Sequence, residues 1–381
     1  SNSNNRIIEE TDVNYSAYSP SPYLFKKNFI EHHNYYAQGY KIDGISYSAY
    51  VNGEGWASNP YNALGTNNAL DDYIPTPKAY TGAGAPSVLG EAVSMSISNA
   101  STNANYINHH LRLQYGTSNT TLKDTLFGGY QKTKLYFSFP ATEITSSTMK
   151  IRHSLVNDLG VASDQQVISF VELTYPHQPN LENSSYIELI NKNNVSASKN
   201  RYDFTSFNIS VPMAFCIGSQ TKKIPLQINS GILQVIIPND IISTQKLIVL
   251  DESEIKLINT LSPVNDNGIF TDYLSVIFDD AYIIISHSKL DTSANEYKMY
   301  RESPAGGSNY VVLADIDELN LQFGGGVPKH IMGLRRFQHF AYNNVTTNLP
   351  SHLFILGKGV REANEVINTG NGTRQSTTSY A

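Results

Sequence analysis

The sequence predicts a mainly β protein: an antiparallel β-sandwich, jelly-roll-like, followed by a partial α/β parallel-sheet half-domain of the Rossmann-like or caspase-like kind. Three observations predict it. Period-two alternation of apolar and polar residues recurs through the middle of the chain, as half-buried strands require. A continuous apolar run then opens a stretch in which strands and helical spacing alternate, the pattern of a parallel sheet. Finally, 40% of residues are apolar but only 16% are charged, with 25 Tyr and 25 Gly. That mix suits short strands joined by polar turns better than helical bundles, whose exposed faces need Glu, Lys and Arg.

A chain of 381 residues suggests two or three domains. The expected division is an aromatic-rich irregular β region over 1–85, an antiparallel sandwich over 86–270, and the first βαβαβ half of a larger α/β domain over 275–381. From about Tyr15 to Tyr80 the sequence is irregular and carries the only Trp, Trp56, so short strands and packed loops are expected there rather than long elements. After Pro86 the alternation sharpens. In YINHHLRLQY, Leu111, Leu113 and Tyr115 share one face while Arg112 and Gln114 take the other. LYFSF, MKIRHSL, VISFVELTY, YIELI, YDFTSFNIS, KIPLQI, ILQVII and QKLIVLD repeat the theme between Asn, Gly, Pro and Ser turns.

The pattern changes near Thr271. AYIIISH, residues 281 to 287, reads as a strand covered on both faces. Leu290, Ala294, Tyr297 and Tyr300 then fall near helical spacing. NYVVLADI from Asn309 supplies a second strand, and HLFILGKG a third. Between them lie Gly324-Gly325-Gly326-Val327-Pro328-Lys329-His330, which lack the Lys-Ser/Thr pair of a phosphate loop and follow the second strand of the unit rather than the first. The expectation is that these glycines start a helix with Pro328 in its first turn and Ile331, Leu334, Phe337 and Phe340 on its apolar face. The order β-α-β-α-β implies parallel strands with right-handed crossovers. One such unit is half of a doubly wound domain, so the chain is expected to stop inside a larger fold.

Composition also excludes. A net charge of −6 argues against phosphate-backbone binding, so no nucleic-acid partner is expected. No run approaches the roughly 18 apolar residues of a membrane helix. The opening Ser1 to Asn5 lacks a basic and then apolar leader. Cys216, the lone cysteine, sits in the apolar run MAFCIG, where a buried hydrophobe is expected over a reactive thiol. His32-His33 and His109-His110 invite a metal reading, but neighbours on a strand point to opposite faces and cannot share one ion.

These residues carry a resemblance. AYIIISH, then NYVVLADIDELNLQFGGGVPKHIMGLRRFQHF, then HLFILGKG resemble the gingipain family of cysteine peptidases in order and spacing over about 275 to 362. Upstream, Gly53-Glu54-Gly55-Trp56, VELTYPHQ and RYDFTSFNIS look like the amino-terminal part of that family's type IX secretion sortase branch, which extends the resemblance to roughly Tyr23 through Glu362. It implies an exported, cell-surface protein of Gram-negative bacteria acting on protein substrates with carboxy-terminal secretion signals, alongside other secretion-system components. The family places its Cys nucleophile and His base after further strands, so the dyad is expected beyond Ala381. No residue here is assigned as catalytic, cofactor-binding or metal-ligating, and calcium is implied by the resemblance alone. His287, at the end of the first parallel strand, is expected to be structural. Lys358 stands where relatives usually carry Asp. The alternative is a noncatalytic surface protein whose β-sandwich binds carbohydrate or protein through exposed Tyr and Trp.

Overall fold

The computed structural model describes residues 7–42, 45–46, 51–99, 107–258, 264, 268–330 and 332–357. The chain forms two units, Ser1–Lys256 and Leu257–Ala381.

In the first unit one ten-stranded sheet runs in the order Ile7–Glu9, Thr221–Ile224, Pro212–Ile217, Thr244–Asp251, Tyr186–Lys192, Leu24–Glu31, Gln165–His177, Val88–Ser96 and Lys132–Phe139, with Tyr61–Asn62 paired beside Gln165–His177. Its pairs are antiparallel except the outermost, Ile7–Glu9 against Thr221–Ile224. A four-stranded sheet (Thr120–Phe127, His109–Tyr115, Thr148–Leu155, Ala69–Pro75) encloses one core with the latter end of the long sheet, where Leu111, Leu113, Ile151, Leu173 and Tyr175 are buried. A three-stranded sheet (Lys199–Phe204, Ile232–Pro238, Leu226–Asn229) encloses a second with the other end, around Leu189, Phe204, Val235 and Val249. Two sandwiches thus share one sheet, and the mainly β expectation is borne out. Alternation does what the sequence implied: Leu111, Leu113 and Tyr115 point inward while Arg112 and Gln114 stay partly exposed.

The region around Tyr15 to Tyr80 differs from expectation. Leu24–Glu31 is an eight-residue strand in the interior of the long sheet, and Ala69–Pro75 is a seven-residue edge of the four-stranded one. Their polar residues are paired, Lys27 and Asp71 with Glu172 and Arg152 on neighbouring strands and Lys26 and Asp72 with Glu182 and His32 in the connecting turns, which hides the alternation from a hydropathy reading.

The second unit holds a three-stranded parallel sheet with Tyr282–Ser286 in the centre, Val311–Asp315 on one side and His352–Ile355 on the other. Every residue of the central strand is buried. Helix α1, Asp291–Glu302, packs on one face with Tyr297 against Tyr282, Ile284 and Val311. Helices α2, Ile316–Phe323, and α3, Met332–Asn343, cover the other, where Phe278, Ile283, Ile285, Leu319 and Phe337 meet. Each large apolar side chain so buried contributes roughly 1.5–3 kcal/mol.

The glycine run requires a correction. The second strand ends at Asp315, whose side chain accepts the Asp317 and Glu318 backbone N–H groups at 2.9 and 3.0 Å and starts α2 at once. Gly324 caps the end of α2, Gly325 and Gly326 take left-handed φ values of 70° and 83°, and the Gly326 N–H closes on the Leu321 carbonyl at 2.8 Å. The glycines therefore end one helix and do not start the next. Pro328 lies outside α3, whose entry is marked instead by His330 Nδ1 accepting the Met332 N–H at 3.1 Å. Leu334, Phe337 and Phe340 do form the apolar face, while the side chain of Ile331 lies outside the described residues. Helices α2 and α3 approach closely where Gly333 faces Asn320.

Candidate functional site

Open α/β sheets collect ligands at the carboxyl ends of their strands. Here that edge presents Ser286 and His287 from the central strand and Asp315 from its neighbour, with Asp317 in the first turn of α2. Ser286 pairs in register with Asp315. Its Oγ is buried and has no hydrogen-bond partner among the described residues. Asp315 is committed to capping α2.

His287 is held at Nδ1 and has a carboxylate near Nε2. Nδ1 accepts the Lys289 N–H at 3.0 Å, so that nitrogen carries no proton. Nε2 lies 3.3 Å from the Asp317 carboxylate. Through Nδ1 the ring caps the turn Ser288–Leu290. That agrees with a structural part for His287. Asp315 and Asp317 were not singled out from sequence. The signal was there: an Asp just after an apolar strand, with acids two and three residues on, marks a helix start.

At the far end of α2 opens a cleft of about 560 Å³, lined by Ile269, Phe270, Leu274, Phe323 and Phe340 among others. Gln322 donates to the Thr271 carbonyl at 3.0 Å, and its buried Oε1 has no partner among the described residues. Glu318, buried, accepts both the backbone N–H and the hydroxyl of Thr271 and fixes that wall. Beside its apolar surface the cleft is lined by Thr271, Asp272, Tyr273 and Gln322.

Cys216 lies in the core of the second sandwich on Pro212–Ile217 at 1% exposure. Burial pushes its thiol up to about 12, so it holds its proton and is a poor nucleophile. The histidine pairs go separate ways. His109 Nδ1 meets Asp164 at 2.7 Å in full burial, whereas His110 is held between Asp158 and Asp124. His32 meets Asp72 at 3.0 Å, and exposed His33 lies 3.6 Å from Glu31. Among the described residues no three His, Cys, Asp or Glu side chains are grouped as a metal ion would need. None of the described helices is long and apolar enough to cross a membrane. In the GEGW stretch, Glu54 accepts the Tyr36 hydroxyl at 2.5 Å and Trp56 packs edge-on against Tyr36. Lys358 lies outside the described residues.

Comparison with known proteins bears on this arrangement. Residues 279–379 match the model of peptidase family C25. Among curated proteins none matches. A solved structure, dimeric latent PorU from Porphyromonas gingivalis, aligns over 92% of this chain and 31% of its own at a TM-score of 0.55 and 13% identity. The chain thus spans about a third of that protein's length. The insecticidal delta-endotoxin Cry8Ea1 from Bacillus thuringiensis aligns over 32% of this chain and 20% of its own, at 14% identity and a TM-score of 0.20, too low to carry an argument. The resemblance read from AYIIISH, FGGGVPKHIMGLRRF and HLFILGKG is borne out: the chain is similar to the gingipain peptidases of family C25 across residues 279–379, within a fold shared with latent PorU.

Proposed function

We propose that this chain is the amino-terminal portion of a gingipain-like cysteine peptidase or type IX secretion sortase, acting on secreted proteins at the cell surface. In this reading the β unit is scaffold or substrate-presenting surface, and residues from about 275 onward are the first half of the peptidase domain. The nucleophilic Cys and its His base come from strands that follow Ala381. Substrates would be exported proteins with carboxy-terminal secretion signals, and partners other components of the same export route. Calcium enters through the family resemblance alone.

The observation that carries the reading is a coincidence of place. The segment that matches a peptidase family includes the parallel sheet, while the only thiol of the chain is sequestered in a β-sandwich core. Efficient attack on an amide needs a thiolate made by a nearby imidazole and N–H donors aimed at the developing oxyanion. The charged groups that act on Cys216 are Lys222 and Asp240, and burial outweighs both in keeping its thiol protonated. The exposed, apolar edge strand His352–Ile355 also supports the reading, because Leu353 at 43% and Ile355 at 52% exposure are what a further strand and helix would cover.

The test is to label the protein translated from the whole gene with a thiol-directed peptidase inhibitor and map the adduct. Labelling of a cysteine beyond residue 381 is expected. Labelling of Cys216 would refute the assignment.

A further inference from the structure

The outer face of the long sheet, opposite the first core, carries a row of four residues in direct register across four strands. Phe29 pairs with Glu172, Glu172 with Glu91, and Glu91 with Tyr136. The two rings at the ends are open to solvent, Phe29 at 56% and Tyr136 at 62% exposure. Three strand spacings separate them, about 14 Å. Between them each carboxylate already has a lysine: Glu172 meets Lys27 at 2.6 Å and Glu91 meets Lys134 at 3.5 Å. The row is amphipathic and, counting the two lysines, without net charge.

The same face has a wall. Farther along the strands, the hairpin of Tyr35–Gln38 and Glu54–Ala57 stands on it, with Ala37 and Ala57 packed on Met95 and Val167. Met95 and Val167 are register partners on the side of the sheet that carries Glu91 and Glu172. The GEGW stretch therefore builds the raised border of an open shelf.

We infer that this shelf binds a neutral glycan. A sugar ring presents a C–H face that stacks on Phe or Tyr and a rim of hydroxyls that donate to carboxylates. Two rings flanking two carboxylates supply both, across a span that takes several sugar units. The occupant is neutral because the acids are already paired, so neither a cationic nor an anionic chain gains a free countercharge. It is not a protein face because a dry protein contact would strip water from two ion pairs, which costs more than it returns. Sugar hydroxyls replace that water with hydrogen bonds. This inference stands apart from the peptidase reading, since it involves no residue of the second unit.

The test is affinity gel electrophoresis of the full chain in gels containing hydroxyethylcellulose, yeast mannan or anionic hyaluronan, beside Phe29→Ala, Tyr136→Ala and the double variant. Exposed rings contribute little to folding, so all three variants keep the wild-type circular dichroism spectrum. Retardation in at least one neutral gel is expected, weakened about two- to tenfold by each single change and lost in the double variant. Free migration in both neutral gels, retardation unchanged in the double variant, or retardation by hyaluronan alone would overturn the inference. Self-association of the wild type in sedimentation, lost in the double variant while both neutral gels show nothing, would assign the row to a protein contact and overturn it as well.

Discussion

The Asp279 carboxylate accepts both the backbone N–H and the hydroxyl of Thr347, at 2.5 and 2.8 Å, from a loop 68 residues away in sequence. It also accepts the N–H groups of Thr346 and Asn348 at 3.0 Å each. One side chain at the entrance to the central strand thereby anchors the loop that delivers the third strand, so the parallel sheet depends on it.

Those backbone donors, Thr347 first, hold the Asp279 carboxyl far below the usual carboxylate range. A depressed folded value means stability that is present above the unfolded value, about 4, and is lost as pH falls below it. Thermal melts of the second unit should therefore show a falling midpoint below about pH 4. In Asp279→Ala the midpoint should be lower at pH 7 and its acid dependence shallower.

Histidines in the first unit should pull stability in opposite directions. At His110, burial opposes the charge, but the hydrogen bonds its ring donates to Asp158 and Asp124 outweigh it and raise the value. That stability is complete below about pH 6.5 and declines as pH rises through the folded value. His153 is fully buried, and desolvation lowers its ring to about 4, so its neutral form favours folding above about pH 6.5 and the benefit is lost toward pH 4. Urea denaturation from pH 4 to 9 checks both: His110→Gln should flatten the alkaline limb, and His153→Phe the acid limb.

Gly333→Ala should destabilise the second unit by about 1–3 kcal/mol. A Cβ there would lie 2.7 Å from the Asn320 Cα and 2.8 Å from its Oδ1, and backbone on a packed helix cannot give way cheaply. Equilibrium denaturation measures the loss; a change within 0.5 kcal/mol would mean that α2 and α3 pack more loosely than described.

Cys216 should be kinetically silent. A value moved from 9.0 to about 12 lowers the thiolate fraction at pH 8 roughly a thousandfold, and burial adds a steric barrier. Reaction with a disulfide reagent should be negligible in buffer and complete in denaturant.

The parallel unit was legible because its central strand has an unusual signature: Ile283, Ile284 and Ile285 are consecutive and all buried, which a strand achieves only when both faces of its sheet are covered. The sandwich strands were legible through residues like Leu111 and Leu113, for which period two is forced by the pleat. Helix α2 escaped because DELNLQF is short and continues straight from a strand, so Asp315 serves both elements. The glycines were misassigned for the same reason: a helix ending at Gly324 and one beginning at Met332 leave similar traces around a Gly-Pro turn. That one long sheet serves two cores could not be read, because Leu24–Glu31 lies between Tyr186–Lys192 and Gln165–His177, partners more than 100 residues away. At the candidate site, His287 was located from sequence, but its capping bond to Lys289 and its contact with Asp317 depend on local turns that hydropathy does not encode.

The most direct measurement is peptide hydrolysis by the purified 381-residue chain, with an unstructured protein and a substrate bearing a carboxy-terminal secretion signal. No cleavage of either is predicted, because the one thiol present is buried and holds its proton. Cleavage that disappears in Cys216→Ala would contradict the account.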